Sequence, residues 1–128
     1  MATTVTREAS AELQKKLTEL TKDGKLEWRR ARGLVLPGSG HVASVLAFET
    51  EYEGVPLVVA EFSAREYDGH HDEFFWVEKE LMAVRDLDGA ILEVLPSSEH
   101  LNPLINTVHA KVVRVPSLVN RMLEAKAG

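Results

Sequence analysis

Apolar residues recur every three or four positions at the start of this 128-residue chain, and every second position through its middle. Ala9, Leu13, Leu17 and Leu20 fall on one stripe of a helix over residues 6–22. Thr6 is a candidate N-cap, Glu8 favours the positive end of the helix, and Gly24 a C-cap. Leu26 and Trp28 alternate with charged neighbours, which predicts a short strand over residues 25–30. Pro37, Gly38 and Gly40 then mark a loop. From His41 to Tyr52 the alternation returns, and Glu53-Gly54 turns the chain into a strand over residues 55–66.

After a polar connection at residues 67–73, residues 74–85 fit two patterns. Phe74-Phe75-Trp76-Val77 favours a strand, whereas Phe74, Val77, Leu81 and Val84 fit a helical stripe. The compact turn at residues 86–89, leading into the apolar residues 90–95, makes this a hairpin and decides for the strand. Asn102-Pro103 opens a helix carrying Leu104, Ile105 and Val108, and residues 115–117 open another carrying Leu118, Val119, Met122 and Leu123. The expected fold is a single α+β domain over residues 1–128. It has an N-terminal helix, a four- to five-stranded antiparallel meander, and two short C-terminal helices packed on one sheet face. The other face is expected to be solvated.

Composition changes this picture little. An apolar fraction of 45% and a charged fraction of 27% are ordinary for a globular domain. No cysteine is present, which excludes disulfides, thiolate metal sites and cysteine nucleophiles. No apolar run reaches the roughly 18 residues of a membrane span, and the N-terminus lacks the order of a signal peptide. A cytoplasmic protein that does not enter membranes is expected.

Charge changes it more. Residues 49–99 hold fourteen acidic side chains against Arg65, Lys79 and Arg85, a net charge of −11 within a chain of net charge −5. Residues 1–33 carry +3. If the carboxylates at 49, 51, 61, 78, 80 and 93 project from the face opposite the helices, they make an acidic surface suited to a basic partner protein. Glu49, Glu51, Glu78, Glu80 and the aromatic Trp76 are its candidate contact residues. The consecutive rings of Phe74, Phe75 and Trp76 cannot all be buried on one strand face, so one of them is a candidate partner or homodimer contact.

Three other constellations bear on chemistry. Asp68, His70, His71 and Asp72, with His41 at the start of a neighbouring strand, offer donors for a divalent metal and for hydrolysis. They lack the His-x-x-x-His spacing of a helical metal site, and nothing supplies a nucleophile or oxyanion hole, so a non-enzyme is the better reading. Arg29, Arg30 and Arg32 beside Trp28 could contact nucleic acid, but a −11 segment argues against it. Pro37-Gly-Ser-Gly40 lacks the Lys-Ser/Thr of a phosphate-binding loop. No cofactor is expected.

Thr21, Gly24, Lys25 and Trp28 form a T-x-x-G-K-x-x-W segment between the first helix and the meander. In this and in its closing helices the chain resembles small bacterial and phage α+β domains of unknown function. The resemblance implies the fold and a bacterial or viral setting, and brings no catalytic residues. The functional expectation is a small acidic interaction module of inhibitor, immunity or phage accessory type.

Overall fold

The computed structural model describes residues 5–31, 42–86, 88 and 90–113. Its elements are α1 (Arg7–Lys22), β1 (Arg29–Arg30), β2 (Val42–Tyr52), β3 (Val55–Asp68), β4 (Glu73–Arg85), β5 (Ile91–Leu95) and α2 (Leu101–Val113). The five strands form one antiparallel sheet in sequence order, so the α+β meander stands and residues 73–85 are a strand. One helix follows the sheet among the described residues. The second expected C-terminal helix falls on residues 114–128, outside them.

Local chemistry accounts for the corners. Thr6 Oγ1 accepts from Ala9 N at 3.1 Å and starts α1. Gly24 ends it with a positive φ of 72°. Glu53 and Gly54, at φ 52° and 77°, make the two-residue left-handed turn that a tight hairpin requires between β2 and β3. Asp86 Oδ1 accepts from the backbone of Asp88 and Ala90 and closes the turn before β5. Ser98 Oγ accepts from His100 N, and Pro103 lies in the first turn of α2, where its missing N–H leaves no helical bond unmade.

Both helices lie on one face of the sheet. Phe48, Leu57, Val59, Met82 and Leu95 meet Leu17 of α1, Trp28, and Leu101, Leu104, Ile105 and Val108 of α2. The opposite face is not the solvated surface expected from the sequence. Ala47, Val58, Ala60, Phe62, Leu81 and Ala83 form a second buried cluster there. The cause is visible in Leu57-Val58-Val59-Ala60 and Leu81-Met82-Ala83, where apolar residues occupy both parities of the central strands.

The stripe of α1 is also turned from its expected position. Its buried residues are Ser10, Gln14, Leu17 and Thr21, while Ala9 is exposed and Leu13 and Leu20 are half-buried. Polar side chains are tolerated inside because each finds a partner. Ser10 Oγ donates to Pro96 O at 2.6 Å, and Gln14 Nε2 donates to the same oxygen at 3.2 Å. Ser98 Oγ donates to Gln14 Oε1 at 2.5 Å, and Trp28 Nε1 donates to Thr21 Oγ1 at 2.9 Å. These bonds tie α1 to the β5–α2 connection and to the segment before β1.

Truncating Gln14 strands buried polar groups, which costs more than trimming a half-exposed leucine. Gln14→Ala is expected to lose about 2 kcal/mol in urea unfolding, and Leu20→Ala about 1 kcal/mol or less. The apolar stripe of the sequence alone would rank them the other way.

Candidate interaction surface on the long hairpin

β3 and β4 pair from Leu57 opposite Val84 to Asp68 opposite Glu73. Their neighbours stop earlier. β2 reaches β3 only as far as Ala64, and β5 pairs with β4 only at residues 82–85. Beyond those points, among the described residues, the hairpin is a two-stranded arm.

The register fixes its two faces. Trp76 opposite Arg65, Phe74 opposite Tyr67, Glu78 opposite Ser63 and Glu80 opposite Glu61 continue the face that bears Val59 and Met82. Phe75, Val77 and Lys79 lie on the other face, with Glu66, Ala64 and Phe62. Tyr67, Phe74, Phe75 and Trp76 are 54%, 58%, 43% and 58% exposed, unusual for four large rings in one short stretch. Cross-strand contacts hold the arm: the Arg65 guanidinium lies 3.9 Å from the centre of the Phe74 ring, and the Tyr67 and Phe74 rings are 5.2 Å apart. Lys79 Nζ pairs with Glu66 at 2.7 Å, Ser63 Oγ donates to Glu78 at 2.9 Å, and Asn102 of α2 donates to Glu80 at 2.7 Å.

The expected acidic surface is therefore divided. Glu78 and Glu80 lie on the helix-bearing face of the arm, together with Glu61, whereas Glu49 and Glu51 lie on the opposite face of β2. Glu49 is buried and held between two arginines. Arg29 Nε donates to its Oε1 at 2.7 Å, and Arg85 Nη2 approaches Oε2 at 2.5 Å. The second contact is an ion pair without hydrogen-bond alignment, since Oε2 has no hydrogen-bond partner. Trp76, by contrast, is well exposed.

The tip gathers the residues considered for metal binding without converging them. Asp68 Oδ2 pairs with His71 Nδ1 at 2.7 Å, and Asp68 Oδ1 accepts from His70 N at 2.9 Å. The Tyr67 hydroxyl donates to Asp72, which turns the chain at φ 49°. Among the described residues no three His, Asp or Glu side chains are grouped to hold an ion, and His41 lies outside those residues. The His71 bond, then the His70 amide, hold the Asp68 carboxyl below the usual aspartate range; the bond to Asp72 raises the Tyr67 hydroxyl.

The arginines considered for nucleic acid are likewise separated in role. Arg29 serves Glu49, Arg30 is exposed, and Arg32 lies outside the described residues. Arg30 borders an open cleft of about 770 Å³ with Glu27, Trp28 and Lys111. The one buried polar group on its Trp28 wall, the indole N–H, is already bonded to Thr21. Among the described residues no helix is long and apolar enough to cross a membrane.

No protein-family model, curated protein or solved structure matches the chain. Sequence reasoning singled out Trp76, Glu78 and Glu80 but missed Arg65, Tyr67 and Asn102. The available signal was unequal length, since the strand expected at residues 90–95 is half as long as its neighbours.

Two measurements check this electrostatic layout. Removing Arg85, whose side chain is 15% exposed, leaves the buried Glu49 carboxylate facing only Arg29, whose side chain is 76% exposed. Arg85→Ala is expected to cost about 3 kcal/mol and Arg29→Ala under about 1 kcal/mol in chemical denaturation. At the tip, Asp68 has a folded value below its unfolded one. Its contribution to stability is present above the unfolded value and fades as pH falls through the folded value. A carboxyl-detected NMR titration should show a low Asp68 midpoint that rises in His71→Ala.

Proposed function

We propose that this chain is a non-enzymatic interaction module whose β3–β4 arm engages a basic partner protein. The carrying observation is the set of four exposed aromatic rings within a strongly acidic hairpin. Residues 61–80 hold seven carboxylates against Arg65 and Lys79, a net charge of −5. Carboxylates beside ring faces are complementary to arginine and lysine, which take ion pairs from the first and cation–π contacts from the second. The Arg65–Phe74 stack has the geometry that such a contact needs.

This reading moves the contact residues along the sheet. Glu49 is committed to its arginine pair, so Glu78 and Glu80, on the same face as Phe74 and Trp76, carry the contact. Inhibitor, immunity and phage accessory roles in the cytoplasm all fit an acidic arm of this kind. No reactive group is required.

Trp76 reports on its own binding, because the other tryptophan, Trp28, is buried. Titration with an arginine-rich peptide is expected to change tryptophan emission, and about 0.5 M salt should weaken the effect strongly. Glu78→Lys/Glu80→Lys should abolish it with the fold intact by circular dichroism. An undiminished response in that double variant would overturn the proposal.

A further inference from the structure

Among the described residues, the outer edge of β4 has no strand partner over residues 73–81, because β5 covers only 82–85. Such an edge is a template for another strand. The occupant that fits this edge is a second copy of itself. Two identical strands can pair antiparallel edge to edge only about a two-fold axis perpendicular to the sheet. Each side chain then meets one on the same face, so the axis passes through a residue rather than between two.

Three centres bring the aromatic run together, and charge selects among them. Centring on Phe75 sets Glu73 against Val77 of the second copy and leaves Lys79 opposite His71, outside β4. Centring on Val77 sets both Trp76 and Phe74 against carboxylates, Glu78 and Glu80, and Glu73 against Leu81, so no ion pair forms. Centring on Trp76 sets Trp76 against Trp76, Phe75 against Val77, Phe74 against Glu78, and Glu73 against Lys79, the one cation of β4 before residue 82, so that of the three centres it alone pairs opposite charges. Here the ion pair is made twice, once at each end of the paired stretch. Lys79 already pairs in its own chain with Glu66 on that face, so it would bridge two carboxylates. Length agrees too: Glu73 of the second copy lies opposite Lys79, and its chain turns away before the positions that β5 occupies.

We propose that residues 73–79 of β4 pair antiparallel with the same residues of a second copy, centred on Trp76, joining two five-stranded sheets with all helices on one side. The inference does not rest on the acidic-arm reading, and salt separates the two. Two arms of net charge −5 repel, so the dimer strengthens with salt, whereas a basic partner is lost.

Sedimentation of the full chain across a concentration series, at about 50 mM and about 0.5 M salt, reads the first point. The mass should move from 14.2 kDa toward twice that value, more readily at the higher salt. Lys79→Glu should weaken association at least about tenfold and Glu73→Lys/Lys79→Glu should restore it, both with unchanged circular dichroism. Because the chain has no cysteine, single cysteines read the register. Under oxidation Trp76→Cys should cross-link to itself, and Phe75→Cys only when mixed with Val77→Cys. A monomer at every concentration overturns the inference, as does a dimer indifferent to Lys79→Glu or a Phe75→Cys variant that cross-links to itself.

Discussion

Backbone pairing between β3 and β4 runs for twelve residue pairs, and neither flanking strand follows it to the end. The rest of the molecule is arranged around that mismatch. At the inner end the hairpin is central in the sheet and buried on both faces. At the outer end the same two strands stand alone and must hold themselves together. A two-stranded ribbon is marginal in water, so the outer half depends on cross-strand pairs rather than on a core. The arginine–ring stack, the Tyr67–Phe74 contact and the Lys79–Glu66 pair supply them. Aromatic residues thus stabilise the arm and also become its exposed surface.

The inner end shows how burial on two sides replaces the simple one-sided sheet. Leu57 and Val59 face the helices while Val58 and Ala60 face away, and all four are buried. Alanines make up half of the second cluster, with Ala47, Ala60 and Ala83 beside Val58, Phe62 and Leu81. Glu49 borders it on the same side of β2. A carboxylate so placed must be paired, which explains why Arg29 converges on it from the adjacent β1 and Arg85 from β4, across β3. Charge that looked available for partners in the sequence is spent inside the fold at this position.

Much of the architecture was legible because its determinants are local. Thr6, Gly24, Glu53-Gly54 and Asp86 announce their turns through backbone chemistry, and the strand assignment of residues 74–85 followed from the turn after it. Three features were not legible, for one reason: each depends on residues far apart in sequence. The buried polar stripe of α1 is satisfied by Pro96 and Ser98, more than eighty positions away. The second core follows from parity across two strands, although the unbroken runs at 57–60 and 81–83 carried the clue. The division of the carboxylates between faces depends on a register that alternation along one strand does not reveal.

The acidic excess also bears on how selectively an exposed aromatic edge can pair. Open edges are commonly protected by charge, and a lysine or glutamate set into the edge rejects most incoming registers. On β4 the apolar stretch 74–77 is bracketed by Glu73 on one side and by Glu78, Lys79 and Glu80 on the other. An approaching strand that meets the rings must also satisfy those brackets. Sliding the strand by two residues in either direction removes the Glu73–Lys79 match, since alternation keeps side chains on their faces only for even shifts. The carboxylates therefore do more than set the sign of a partner. In the proposed pairing they would restrict which strand can align with the arm, and would make association respond to ionic strength in a direction set by the partner's own charge.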